Sequence, residues 1–226
     1  MKIIKRLSYI FIFTICMLFG CSEADPLTGV TKSPHFITEY VMPTGVKITT
    51  NSVGDLFLCA DGEIYKTWGN KDNEEYKKAR YFCDLYNDNS YRGSVYPGLN
   101  AALAYPIENL TIYCATDFDA NHPAGEPLDD IVELDFQTYY DYVKSGYTSY
   151  KDNPDWMSQT VEHFILSFDK VSADVTKLVS IGLSASGYFS GFNFTSTPAE
   201  PGEYTFTLEM TTNGETFTTE FTHTFE

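Results

Sequence analysis

The last segment of the chain, residues 201–226, constrains the fold more than any other part of the sequence. Asn213-Gly214 separates two runs of alternating residues, and Asn-Gly favours a two-residue type I′ turn in which both residues have positive φ. This turn would pair Thr212 with Glu215 and would place one set of mostly apolar residues on a single face: Tyr204, Phe206, Leu208, Met210, Phe217, Phe221 and His223. A slip of one residue would bury threonines and glutamates instead. The segment therefore predicts an antiparallel hairpin with one face on a core and the other in water.

Much of the remaining chain also has the pattern of short strands. Aromatic residues make up 16% of the sequence, and they favour pleated, half-buried surfaces. Asp61-Gly62 is a hairpin-type turn signal. Strands are predicted at residues 45–50, 56–60, 63–68, 107–116 and 160–168. The expected fold is mainly β, or α+β, with an antiparallel β-sandwich.

Two segments are candidates for helices. Residues 127–145 carry a broad apolar stripe, acidic residues near the start that suit a helix dipole, and Gly146 just after the end. This segment is predicted to be the one notable helix. Residues 70–90 fit either a helix or a strand, with Asp72 and Asn73 as possible helix caps.

The hairpin segment carries a resemblance to a known fold. Residues 201–206, Pro-Gly-Glu-Tyr-Thr-Phe, resemble the closing strands of immunoglobulin-like modules of bacterial surface proteins. The resemblance covers about 25 residues and implies an immunoglobulin-like sandwich in the C-terminal part. Residues 36–226 are predicted to form a single β-rich domain.

The N-terminal residues have the layout of a secretory signal. Lys2, Lys5 and Arg6 precede an apolar run of about thirteen residues, too short to span a bilayer, which takes about 20 residues. Gly20-Cys21 at its end resembles the lipobox of bacterial lipoproteins. That resemblance implies a signal peptide at residues 1–20, lipidation of Cys21, and a lipidated tether over residues 21–35 that holds the domain at a membrane.

Acidic residues follow Cys21 at once, and this arrangement resembles the export signal of surface lipoproteins in Bacteroidetes. The stretch from Asp117 to Asp130 also resembles a segment of uncharacterised surface lipoproteins of that group. Both resemblances imply an outer-membrane lipoprotein that faces the cell exterior.

The net charge of the chain limits the classes of partner that it could bind. The chain has 15 basic and 31 acidic residues, a net charge of −16, and loss of residues 1–20 would leave −19. Such a domain repels phosphate backbones, which argues against a nucleic-acid partner.

Cys59, Cys83 and Cys114 remain in the domain; they could form one disulfide at most, and they are expected to be buried thiols.

One loop has oxygen ligands at alternate positions, as a hard cation such as Ca²⁺ prefers. Asp117, Asp119 and Asn121 are candidates for such a site. His122 and Leu128 stand where an EF-hand loop has its glycine and its closing glutamate, so an EF-hand is excluded. The alternative is a polar turn in which the Asp side chains cap local backbone groups. No other cofactor is indicated.

Aromatic residues near polar loops are candidates for ligand contact. Trp68, Tyr147, Tyr150 and Trp156 could stack on sugar rings or contact an extracellular protein, or they could pack beneath the loops and close the core. No catalytic motif is present, and the chain is therefore expected to be a non-catalytic binding or interaction module. The alternatives are a glycan-binding lipoprotein of a polysaccharide-uptake system and a carboxylate-dependent hydrolase.

Overall fold

The computed structural model describes residues 31–148, 160–181 and 188–226, and this part of the chain is mainly β. The strands are β1 (Thr31–Lys32), β2 (Glu39–Thr50), β3 (Leu56–Lys66), β4 (Ser94–Val95), β5 (Ala101–Leu103), β6 (Ile107–Cys114), β7 (Val132–Thr138), β8 (Glu162–Ser167), β9 (Tyr188–Phe194), β10 (Gly202–Thr212) and β11 (Glu215–Phe225). The helices are α1 (Glu74–Tyr86), α2 (Tyr140–Lys144) and a 3-10 turn at Phe168–Lys170. The prediction of a mainly β fold is confirmed.

The strands form three sheets. The largest has the order β5-β2-β3-β9-β7-β8, a second has the order β11-β10-β6, and β1 pairs with β4. Neighbouring strands are antiparallel except β2 and β5, which are parallel.

The two larger sheets share a hydrophobic core. One contiguous cluster of buried side chains joins Leu58, Leu134 and Phe192 of the larger sheet to Ile112 and Phe206 of the smaller one. All five are 0–1% exposed, and apolar area removed from water stabilises a fold by about 25 cal/mol per Å². The two sheets therefore pack face to face.

A second core lies on the other face of the larger sheet. Neighbouring residues of a strand point to opposite faces; Val41 belongs to the first core, whereas Tyr40 belongs to the second. Tyr40 packs there against Phe82 of α1, with ring centroids 5.3 Å apart, and Tyr142 of α2 joins the same cluster. Helix α1 thus forms a partial third layer over β2 and β3, and α2 contacts α1.

The C-terminal hairpin has the predicted register. Thr212 pairs with Glu215 and Phe206 pairs with Phe221, while Asn213 and Gly214 have φ values of 51° and 72°. Phe206, Leu208 and Met210 are all 0% exposed, as the apolar face requires.

The hairpin turn predicted at Asp61-Gly62 is wrong, because β3 runs through both residues. The turn between β2 and β3 is instead built on Asn51, whose side-chain oxygen accepts hydrogen bonds from the backbone of Val53 and Asp55. Gly62 lies next to a register shift in β2, and a Cβ at this position would be 2.2 Å from the carbonyl oxygen of Met42. The glycine therefore permits close approach of two strands.

The helix predicted near residues 127–145 is also wrong. Val132, Leu134 and Phe136 alternate with more exposed residues and form strand β7, and only the short helix α2 follows. The broad apolar stripe contained this two-residue period, and pairing with both β8 and β9 satisfies the backbone as a strand. Gly146, with φ of 73°, does follow the helix end.

The ambiguous segment at residues 70–90 contains helix α1. Asn73 is its N-cap, and its side chain accepts a hydrogen bond from the backbone N–H of Glu75. Ala79, Phe82, Cys83 and Tyr86 form the buried face of the helix.

The three cysteines of the described residues are free and buried, at positions 59, 83 and 114. The expectation of buried thiols is therefore confirmed. Burial raises the pKa of the Cys83 thiol to about 12, which leaves it protonated and unreactive at neutral pH.

Candidate functional site

Two adjoining cavities flank Trp68, where β3 leads into α1. The first, of about 170 Å³, is called the lysine pocket, and its lining includes Lys32, Thr38, Thr67, Trp68, Lys71 and Tyr76. The second, of about 210 Å³, is called the amide pocket, and its lining includes Lys66, Trp68, Asn70, Asn73, Glu75 and Tyr76. Trp68 and Tyr76 line both cavities.

The backbone at the end of β3 is firmly held. The N–H of Thr67 donates to the carbonyl of Thr38 at 3.0 Å, and the Thr67 hydroxyl donates to the carbonyl of Ile37 at 2.9 Å. Gly69, with φ of 94°, then turns the chain toward α1. Trp68 is therefore presented from a fixed strand end, and Tyr76 is presented from the first turns of a capped helix.

Trp68 combines a large ring with an unused donor. The residue is half-buried, and the ammonium of Lys66 lies 5.0 Å from the ring centroid, in a cation–π contact. The indole N–H is buried and has no hydrogen-bond partner among the described residues. An aromatic wall with a few polar groups is the usual make-up of a small-molecule site.

Tyr147, another predicted ligand residue, belongs to the second core instead of the cavities. Its hydroxyl donates to the carboxylate of Asp88 at 2.9 Å, and its ring lies edge-on to Tyr91 and Tyr142 at 5.1 and 5.8 Å. The structure thus gives Tyr147 a packing role and does not bring it to Trp68. Tyr150, Trp156 and Cys21 lie outside the described residues.

The predicted cation loop is a hydrogen-bonded turn. The Asp117 carboxylate accepts from the backbone of Ala124 at 2.8 Å, and the Asp119 carboxylate accepts from the backbone of Asn121 at 2.7 Å. His122 contacts Asp119 at 2.8 Å. A cation bound by these residues would compete with those hydrogen bonds, so the geometry fits backbone capping.

A buried polar cluster that the sequence did not reveal joins His35, Cys83 and Asp88, whose ligand atoms all lie within 4.8 Å of one another. Asp88 is 0% exposed, and its carboxylate accepts hydrogen bonds from the backbone of Phe36 at 2.8 Å and of Ile37 at 2.9 Å. His35 and Asp88 are separated by 53 positions, so no local pattern links them.

The His35 ring is fully engaged within the protein. Its Nδ1 donates to the carbonyl of Asp88 at 2.5 Å, and its Nε2 accepts from the guanidinium of Arg80 at 2.6 Å. Burial lowers the pKa of His35, which favours this neutral form. With both ring nitrogens used, the cluster ties the segment before β2 to the end of α1 and does not offer an open metal site.

Two other histidines make packing or surface contacts. His163 pairs with Asp135 on an exposed face of β7 and β8. The His223 ring lies 5.9 Å from Phe194 and 4.7 Å from Phe225, and burial lowers its pKa.

Within the described ranges, no helix has the length and apolar character needed to cross a membrane. Comparisons with known protein families, with curated protein sequences and with solved structures found no match.

Proposed function

We propose that this chain is a non-catalytic binding module that contacts a glycan at Trp68 and Tyr76. The single observation that carries the proposal is the pair of adjoining cavities that share these two aromatic side chains. Sugar rings stack on flat aromatic faces, while amide and carboxylate groups bond their hydroxyls. Asn70, Asn73 and Glu75 supply such groups in the amide pocket.

The size of the cavities suits short stretches of a polymer. Each is smaller than the roughly 300–1,000 Å³ of a site for a drug-sized ligand. The two volumes, about 170 and 210 Å³, suit one sugar unit or part of one in each cavity. Two adjoining cavities would therefore hold neighbouring units of a chain.

The lining of the two cavities favours binding over hydrolysis. A glycosidase uses a pair of carboxyl groups on either side of the scissile bond. Among the described residues that line the cavities, Glu75 supplies the one carboxyl group. A hydrolase therefore stays the weaker alternative.

We further propose that the chain is a surface lipoprotein of the Bacteroidetes type, anchored to the outer membrane through lipid on Cys21. The support is the charged start, apolar run and Gly20-Cys21 junction of the sequence. An immunoglobulin-like sandwich is also proposed, and the antiparallel pairing of β10 with both β11 and β6 supports it. Mass spectrometry of the protein isolated from its native membrane tests the anchor, and an unmodified Cys21 thiol would exclude it.

The glycan proposal is tested on an oligosaccharide array with the full-length chain in a zwitterionic detergent, since sugar-based detergents would compete. Binding is expected, and Trp68→Ala should weaken it by about 30-fold or more, because a buried Trp contact is commonly worth at least about 2 kcal/mol. Tyr81→Ala is the matched control. Tyr81 is an exposed aromatic residue of α1, at 54%, outside both cavity linings.

Three outcomes would contradict the proposal. Absence of binding to any glycan would remove it, and so would equal loss of binding in the Trp68 and Tyr81 variants. Shortening of a bound oligosaccharide on incubation would show hydrolysis in place of simple binding.

A further inference from the structure

The lysine pocket differs in charge from the rest of the chain. The sequence has about twice as many acidic as basic residues, 31 against 15. The described residues that line this cavity nevertheless include Lys32 and Lys71 and no carboxylate. Within the described residues, neither lysine takes part in a salt bridge. The pocket is therefore a local cationic site on an anionic protein.

Buried polar groups without partners also line the lysine pocket. Thr38 is 1% exposed, and its side-chain hydroxyl has no hydrogen-bond partner among the described residues. The indole N–H of Trp68 is also buried and has no hydrogen-bond partner among the described residues. A buried polar group left without a partner carries a free-energy cost. A ligand oxygen that reaches either group would recover part of this cost.

The groups in the pocket share one chemical preference. Ammonium and indole groups only donate hydrogen bonds, and a hydroxyl can donate one. Lys32, Lys71, Trp68 and Thr38 thus offer donors and two positive charges. A group with several acceptor oxygens and a negative charge would match them, because hydrogen bonds between charged partners are roughly twice as strong as neutral ones.

We propose that the lysine pocket binds the acidic group of a negatively charged glycan, while the neighbouring sugar unit lies in the amide pocket. This inference rests on the proposed glycan function and specifies its ligand class. The shared chemistry is an anionic oxygen group, which a uronic acid carboxylate or a sugar sulfate could supply. The protein as a whole is anionic and would repel an acidic ligand. The preference for an acidic over a neutral ligand therefore depends on Lys32 and Lys71, which act at short range.

The experiment measures affinity by calorimetry on the full-length chain in zwitterionic detergent. The ligands are an oligogalacturonate, a sulfated galactose oligomer and a neutral galactose oligomer of equal length. We expect one or both acidic ligands to bind at least about tenfold more tightly than the neutral one. Affinity for the acidic ligand should also fall as NaCl is raised, because salt screens charge interactions over about 8 Å at physiological ionic strength.

Two variants locate the effect. Lys71→Gln removes one charge from an exposed side chain, and it should weaken acidic binding by about tenfold or more. The preference for the acidic over the neutral ligand should therefore fall. Lys77→Gln is the matched control, since Lys77 is an exposed lysine of α1 that pairs with Glu74 and lies outside both linings. Thr38→Val tests the buried hydroxyl, with its melting temperature measured first to confirm folding.

The outcomes separate this inference from the proposed function. Equal affinity for acidic and neutral oligomers, or equal effects of the Lys71 and Lys77 variants, would overturn the acidic-ligand inference and leave glycan binding standing. Absence of binding to all three oligomers would overturn both. Preference for the sulfated or for the carboxylated ligand would identify which acidic group the pocket accepts.

Discussion

Replacement of Asp88 by Ala is expected to destabilise the protein strongly. The carboxylate accepts three hydrogen bonds, from the backbone of Phe36 and Ile37 and from the hydroxyl of Tyr147, at 2.8–2.9 Å. Phe36 and Ile37 are 4% and 0% exposed, so water cannot easily replace the lost acceptor. The segment before β2 would lose its two hydrogen bonds to the Asp88 carboxylate, and the bond from His35 to the backbone carbonyl of Asp88 would remain.

The size of the stability loss follows from the hydrogen-bond donors that would be left without an acceptor. A buried donor left without a partner costs about 1–3 kcal/mol. With two buried N–H groups stranded, and Tyr147 half-buried, we expect Asp88→Ala to lower the free energy of unfolding by about 3–5 kcal/mol. Asp88→Asn should cost less, because one acceptor oxygen remains while the amide group opposes one N–H.

Urea unfolding followed by circular dichroism measures both variants. The control is Asp84→Ala, since the side chain of Asp84 is 68% exposed and forms an ion pair with Arg80 at 3.7 Å; a surface pair of this kind is worth about 0–1 kcal/mol. A loss below about 1 kcal/mol for Asp88→Ala, or an equal loss for Asp84→Ala, would refute the reasoning.

Asp88 should also make the free energy of unfolding depend on pH. Burial raises its pKa above the ordinary value of 3.8, although the three donors oppose this shift. The folded state then holds the proton more tightly than the unfolded state does. The stability difference between the native protein and Asp88→Asn should therefore fall as pH rises from below 3.8 through the folded pKa. A flat or rising difference across that range would contradict the assigned direction.

Two further perturbations test other parts of the fold. Gly62→Ala should lower the free energy of unfolding by about 1–3 kcal/mol, because the new Cβ would lie 2.2 Å from the Met42 carbonyl oxygen. Gly45→Ala is the control, since the nearest atom to a Cβ at that position is 4.0 Å away. Equal losses of stability for the two variants in urea unfolding would refute the argument. Burial lowers the pKa of His122, but its hydrogen bonds to carboxylates raise it above 6.5 overall. The stability that native His122 adds relative to His122→Gln should be fully present below pH 6.5 and should be lost as pH rises through the pKa of the folded state. Thermal unfolding of both proteins from pH 5 to 9 would measure this difference. A stability difference that grows with pH would contradict the prediction.

Part of the candidate site was accessible from the sequence. The sequence predicts Trp68 as a ligand residue because it is an aromatic residue beside a polar loop. The sequence does not predict Lys32, Thr38 and Lys71 as site residues, because the β1–β4 pairing and the turn into α1 bring them together only in the folded chain. Their positions in the chain carry no common period, so no local pattern could identify the lysine pocket.

Local chemistry by itself determined the closing hairpin of this protein. A type I′ turn requires positive φ at two positions, which Asn213 and Gly214 adopt readily, and the alternation on either side permits one register. The segment at residues 132–138 shows the opposite case, since its apolar residues suit either a helix or a strand. Only the neighbouring strands β8 and β9, which satisfy its backbone groups, decided that it is β7. The partnership of His35 with Asp88 likewise exists only after packing, because a contact between distant residues depends on the path of the whole chain.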